Sequence, residues 1–310
     1  MTLIKQPNDV MPELHLRGLL YGQPGIGKST TAISAPNPVL IDCDNGVHRI
    51  HVSHRVPYLP VKNYQEVLDV IGSKDIAPFD TIVFDTAGKL LDYMAMWIIQ
   101  NDPKMGRKDG ALSLQGYGRR KYEFISQLKR VSTMGKHIVF VAHELEERNG
   151  DDGKVIRPEV GGSSGGDLIK ELDWVGYMEA SGKKRTISFT PCDRYYAKNS
   201  ARLDDVIHVP ELAKGDKNAF LSGIISQCLA SMNAENEMQG QYDALVADNE
   251  KTIGKCQNAD ALNAVMMALG SQTPIWDSKE RAWATLKARA AELGAAWDGK
   301  AKTFSGKEVA

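Results

Sequence analysis

Residues 22–29 read Gly-Gln-Pro-Gly-Ile-Gly-Lys-Ser, a complete G-x-x-x-x-G-K-S spacing. The chemistry open to this pattern is the grip of a phosphate chain. A glycine-rich turn points successive backbone N–H groups inward as an anion nest, and a helix starting directly after it adds its positive end. In such a loop Lys28 bridges the β- and γ-phosphates and the Ser29 hydroxyl holds Mg²⁺. Gly22, Gln23, Pro24, Gly25, Ile26, Gly27, Lys28, Ser29 and Thr30 are therefore the expected nucleotide-binding residues, with ATP and Mg²⁺ as ligands.

A phosphate loop needs acids beside it. Asp85 closes the run Thr81-Ile-Val-Phe-Asp85, where a strand-end carboxylate can reach the magnesium shell, so Ser29 and Asp85 are the expected metal ligands. The plain alternative for Asp85 is an acid that caps the next helix. Hydrolysis also requires a group that orients or deprotonates water near the γ-phosphate. Asp44, followed by Asn45-Gly46, is the candidate, and Asp42 competes because strand alternation puts both acids on one face. His143 ends a later strand, where it can sense the γ-phosphate. Lys28, Asp44, Asp85 and His143 make up the catalytic set. His143-Glu144-Leu-Glu-Glu147 is no zinc-protease motif, since the second histidine is missing.

Two further segments suit a polyanion. Residues 101–120 carry Arg107, Lys108, Tyr117, Arg119 and Arg120, cations interleaved with a ring that can stack on a base. The second segment runs from Arg148 through Lys154, Arg157 and Gly161-Gly-Ser-Ser-Gly-Gly166 to Lys170. Both read as glycine-rich loops ordered by a ligand. Lys198, in Tyr195-Tyr-Ala-Lys-Asn, reads as a surface lysine or, in a ring or filament, as a positive finger that can reach a neighbouring subunit's nucleotide.

The elements that position these residues follow from hydrophobic patterning. Leu14, Leu16, Leu19 and Leu20 form an apolar run before the loop, and Ser29-Thr-Thr-Ala-Ile opens a helical stretch. Pro38 to Asp44, Thr81 to Asp85 and His137 to His143 read as buried strands, alternating with helices marked by Val67 and Ile71, by residues 88–99, and by Phe124 and Leu128. That alternation predicts an α/β fold with a mostly parallel sheet. Leu172 to Glu179, Arg185 to Pro191 and Val206 to Pro210 predict an antiparallel extension at one edge. Beyond Asn233 only helices are expected, on the stripes of Leu245 and Ile253, Leu262 and Met266, and Trp283 and Leu286, with a frayed last dozen residues. The expected division is an ATP-binding domain over 1–232 and a helical module over 233–310.

The 310 residues carry a formal net charge of -1, which excludes a globally basic nucleic-acid binder and leaves local patches for any such contact. Cys43, Cys192, Cys228 and Cys256 include no C-x-x-C pair, so neither a zinc site nor a disulfide framework is implied. With no signal-peptide core and no apolar stretch of membrane-spanning length, a cytoplasmic protein with no membrane contact is expected.

Gly22 to Ser29, Asp42-Cys-Asp44, Thr81 to Asp85 and the strand ending in His143-Glu144, in this order, resemble a RecA-superfamily ATPase core over residues 14–210. More narrowly, the chain is similar to phage-encoded RecA-like ATP-binding proteins, including the Sak-type single-strand annealing proteins. The resemblance implies a RecA-like P-loop core, hydrolysis through Asp44, γ-phosphate sensing by His143, and single-stranded DNA on the loops near 101–120 and 145–170. It further implies a homo-oligomer, ring or filament, that promotes annealing or strand exchange in phage-type recombination. Single-strand binding protein is a second expected partner. Recombinases usually carry Glu where Asp44 stands and often Gln where His143 stands. A helicase loader, another replication ATPase or a nucleotide-gated adaptor would use the same core.

Overall fold

The structure is a computed structural model that describes residues 15–148, 154–161 and 164–306. The chain forms two compact units, Glu13–Leu229 and Ala230–Ala310. Among the described residues no helix is long and apolar enough to cross a membrane.

The first unit is built on one sheet. Its strands are β1 (Arg17–Gly22), β2 (Pro38–Asp42), β3 (Tyr58–Pro60), β4 (Thr81–Asp85), β5 (His137–Arg148), β6 (Lys154–Pro158), β7 (Trp174–Ser181), β8 (Lys184–Ser188), β9 (Lys198–Asn199) and β10 (Val206–Val209). Across the sheet the order is β3-β2-β4-β5-β1-β7-β8-β10. From β3 to β7 every neighbouring pair is parallel, whereas β8 and β10 add antiparallel strands at that edge. The mostly parallel sheet with an antiparallel edge is the α/β arrangement the sequence pattern implies.

Parallel strands covered on both faces read as continuous apolar runs, and Leu19, Leu20, Tyr21, Ile82, Val83 and Ile138 are at most 1% exposed. On one face Leu19, Ile41, Phe84 and Phe140 pack against α2 (Tyr64–Gly72), α3 (Ala87–Asn101) and α4 (Leu114–Ser132). On the other, Leu20, Leu40, Val83 and Val139 meet Leu221, Ile224 and Ile225 from the first turns of α6 (Phe220–Gly254). Each such side chain stabilises the fold by about 1.5–3 kcal/mol through burial alone.

Several local expectations are corrected. The strand after Leu172 is antiparallel on one side only, because β7 pairs in parallel with β1 and antiparallel with β8 and β9. The fit depends on Gly18, where a Cβ would lie 1.8 Å from the Trp174 ring. The first basic segment is only half loop. Ser113 accepts a hydrogen bond from the Gly116 N–H at 3.1 Å and starts α4, so Tyr117, Arg119 and Arg120 stand on a helix. The second segment is largely regular as well. β5 runs on past His143 to Arg148 and pairs antiparallel with β6, and α5 covers Ser164–Glu171. Residues 149–153 and 162–163 of that segment lie outside the described residues. The helix after the phosphate loop, α1 (Lys28–Ala32), is only five residues long, since Pro36 and Pro38 soon force extended backbone.

The second unit contains most of α6, then α7 (Ala259–Gly270) and α8 (Ser278–Glu292), and also two strands that helical periodicity did not predict, β11 (Ala295–Asp298) and β12 (Thr303–Gly306). The end expected to fray is therefore a hairpin as far as Gly306, and 307–310 lie outside the described residues. Its aromatic side chains hold it: Trp297 faces Phe304 across the pair, and both rings lie 4.7–5.8 Å from Trp283. Asn263 on α7 bonds both the N–H and the carbonyl of Phe304, at 2.7 and 2.9 Å. Ile253, Leu262 and Leu286 complete this core.

Candidate phosphate-binding site

The phosphate loop leaves the sheet where β1 ends. Gly22 has φ +154°, and a Cβ there would sit 2.1 Å from the Met178 carbonyl oxygen on β7, so only glycine lets the chain turn away. Gln23, Pro24 and Gly25 form an exposed crest, and Gly27, in the left-handed region at φ +96°, starts α1. Lys28 is 5% exposed. Its ammonium donates to the carbonyls of Gly22 at 2.8 Å and Gln23 at 2.6 Å. Burial pulls the Lys28 pKa down to about 8, against the opposing effect of the Asp85 and Glu144 charges.

Asp85 is also buried, and burial pushes its carboxyl up to about 6, although the Ser29 hydroxyl bonds to it and works the other way. The nearby Asp42 and Asp44 raise it further. The cap of α3 is Thr86, whose hydroxyl accepts from the Lys89 N–H at 3.4 Å, so Asp85 is not spent on capping. Its backbone carbonyl, meanwhile, accepts the N–H groups of Cys43 and Asp44 at 2.7 and 3.0 Å, tying β4 to the end of β2.

The acid that ends β2 and the one just beyond it have different tasks. Asp42 is 1% exposed and accepts the backbone N–H groups of Gly46 and Val47 at 2.8 and 2.9 Å. Asp44 lies beyond the end of the strand, half-buried, with Arg49 at 2.8 Å. Alternation along one strand thus does not govern the pair, because β2 stops at Asp42.

His143 lies opposite Gly22 in the β1–β5 register. Its Nδ1 is buried without a hydrogen-bond partner among the described residues. Burial, and then the Lys28 charge, hold its pKa below the usual histidine value, while Asp44 acts in the opposite sense. Glu144, to which the sequence pattern gave no role, has a buried Oε2 that likewise lacks a partner. Tyr177 donates to its carboxyl, and burial followed by the Glu144 charge drives the phenol up to about 12. The signal available in the sequence was an acid placed directly after the histidine that ends the apolar run. Lys28, Ser29, Asp44, Asp85 and His143 come from four different elements and converge at one end of the sheet.

The remaining candidates are distributed otherwise. Arg107 and Lys108 are exposed in the connection before α4. Tyr117 packs partly on the core, and Arg120, 5% exposed, donates to the Gly161 carbonyl at 2.7 Å with its guanidinium over the Tyr117 ring. Arg120 is therefore a structural cation, not an open contact. Arg119 is exposed over Tyr122. Arg157 pairs with Glu147 at 3.1 Å and lies over Tyr196, and Lys170 is exposed near the end of α5. Lys198 donates to the carbonyls of Ile169 and Lys170 at 3.2 and 2.9 Å, as a cation closing that helix. A cavity of about 600 Å³ has Asp44, Lys89, Tyr93, Tyr117 and Arg120 in its wall, so the first basic segment and the acid beyond β2 share one space.

The sheet carries β5 between the loop strand β1 and the Asp85 strand β4, and Lys28, Ser29 and Asp85 cluster beside that inserted strand. Fold and site define a P-loop core on a mostly parallel α/β sheet. The chain belongs to the AAA domain family, whose model matches residues 14–201. No protein of curated function matches the chain. Among solved structures 157 chains match. One is the flagellar accessory protein FlaH from Methanocaldococcus jannaschii, with 12% identity and a TM-score of 0.36 over 62% of this chain and 84% of that one.

Proposed function

We propose that the chain is an Mg²⁺-dependent ATPase that binds single-stranded DNA and promotes annealing or strand exchange in phage-type recombination. The observation that carries the ATPase part is the cluster of buried polar groups at the loop: Lys28 and Asp85, whose charged forms burial disfavours and which meet only neutral groups, and His143 Nδ1 and Glu144 Oε2, which lack partners among the described residues. A triphosphate with a divalent cation supplies opposite charge to both Lys28 and Asp85, and the residues present fit it. A magnesium ion bound chiefly by phosphate and water needs only one or two protein ligands, a requirement Ser29 and Asp85 meet.

In this reading Lys28 and the backbone of residues 22–30 hold the phosphates. Ser29 and Asp85 hold Mg²⁺, which when bound neutralises charge on the phosphate oxygens. Asp44 orients or deprotonates the attacking water, and His143 offers a polar contact toward the terminal phosphate. Single-stranded DNA meets the exposed Arg107, Lys108 and Arg119, and the cavity shared by Tyr117 and Asp44 couples it to hydrolysis. ATP turnover with and without single-stranded DNA, together with annealing of complementary oligonucleotides, tests this. Turnover stimulated by DNA and annealing that weakens steeply with salt are expected. Failure to bind DNA at low salt with ATP present would remove the recombination role.

A second reading, a nucleotide-gated adaptor, is favoured by one feature of the C-terminal unit. Met266, Leu269, Trp283 and Leu286 line an open cavity of about 350 Å³, and Met267 and Trp276 are exposed. For an adaptor, Met267→Asp with Trp276→Asp should abolish capture of a single-strand binding protein while ATP binding survives.

A further inference from the structure

The phosphate loop has two flanks. On the β5 side stand His143, Asp85 and Asp44, the groups suited to a metal and a terminal phosphate. On the β7 side β8 runs antiparallel, so its first residues lie at the same end of the sheet as the loop. Arg185 is paired with Ala180 of β7, two residues beyond Met178, the partner of Gly22. The Arg185 Nε is 3.8 Å from where a Cβ at Gly27 would stand, and apart from the adjoining chain no other described atom is within 4 Å of that point.

Arg185 also differs from four described arginines near the sheet. Arg17 is held by Asp173, Arg49 by Asp44, Arg157 by Glu147 and Arg194 by Glu179. Arg185 is half-buried, and no acceptor among the described residues holds its side chain. A partly desolvated guanidinium without an anion, beside a loop that presents a second cation in Lys28, lacks the partner that a phosphate supplies in a fixed, forked geometry.

We propose that Arg185 is a second cation of the nucleotide site, gripping the part of the phosphate chain that lies away from Asp85 and His143. The inference rests on the nucleotide-binding reading above and extends it. Because the group it holds is not the terminal phosphate, ATP and ADP should depend on Arg185 alike.

The test is calorimetric binding of ATP and of ADP to the full chain, with inorganic pyrophosphate as a competitor. Arg185→Gln should weaken ATP and ADP by similar factors, of order ten-fold, and weaken pyrophosphate competition in parallel, with Arg185→Lys recovering part of the loss. Thermal melting of both variants checks that the fold is kept. Unchanged nucleotide affinity in Arg185→Gln would overturn the inference. So would a loss confined to ATP, which would move the contact to the terminal phosphate, or a loss that spares pyrophosphate, which would move it to the base. If the wild-type chain itself bound neither nucleotide, the reading beneath the inference would fail first.

Discussion

The phosphate loop and the two basic segments are both rich in charge, but they treat it in opposite ways. At the loop, Lys28 and Asp85 are buried with pKa values displaced toward neutrality, and His143 and Glu144 each keep a buried polar atom unpartnered. In the segments, Arg157 pairs with Glu147, and next to them the partly exposed Lys198 closes α5. A charge that the fold has already matched costs little and holds structure together. One that the fold desolvates and meets only with neutral groups, as Lys28 with the Gly22 and Gln23 carbonyls and Asp85 with the Ser29 hydroxyl, marks where a ligand can supply the opposite charge. Sequence composition alone does not separate the two cases, because both present as cations near glycines.

The sharpest way to break this contrast is to remove the loop cation. Lys28→Ala should lower Mg²⁺-ATP affinity about 100-fold or more, since a charge-assisted contact to a desolvated anion is lost. Titration calorimetry reads it directly. Asp85→Asn should come next, with ATP hydrolysis reduced about 100-fold in a steady-state phosphate assay.

Asp85 also predicts a pH dependence. Its folded pKa, about 6, lies above the ordinary 3.8, so the folded state holds the proton more tightly than the unfolded one. The ligand-free chain should therefore lose stability as pH rises from about 4 to about 6, by roughly 3 kcal/mol at most. Thermal melts across that range should flatten in Asp85→Asn.

Among the charges away from the loop the effects are smaller and fall on stability. Arg120→Ala should cost about 1–3 kcal/mol, because it removes a buried bond from a charged donor to the Gly161 carbonyl. Arg157→Ala should cost less than about 1 kcal/mol, since its ion pair with Glu147 is exposed. Chemical denaturation measures both.

The phosphate loop and the sheet were legible because both depend on local patterns: a fixed glycine and lysine spacing, and apolar strands alternating with amphipathic helices. What was hidden depends on partners distant in sequence. That Asp42 serves the backbone while Asp44 leaves the strand and pairs with Arg49 follows from where β2 stops and from the bonds to Gly46 and Val47. The parallel placement of β7 depends on the Trp174 ring lying against Gly18. The C-terminal hairpin was missed because its stability comes from Trp297, Phe304 and Trp283 meeting in space, with little strand alternation to announce it. Tyr117 and Arg120 looked like loop residues until the Ser113 cap and packing against the core set the start of α4.

Proton exchange on nucleotide binding tests most directly that Lys28 and Asp85 are the groups a triphosphate and its metal ion satisfy. Titrating the wild-type chain with Mg²⁺-ATP in buffers of different ionisation heat should show protons released near pH 6, as Asp85 is driven to its charged form, and taken up near pH 8, as Lys28 is. The release should vanish in Asp85→Asn. Tight binding with no proton exchange at either pH, or with release unaltered in that variant, would contradict it.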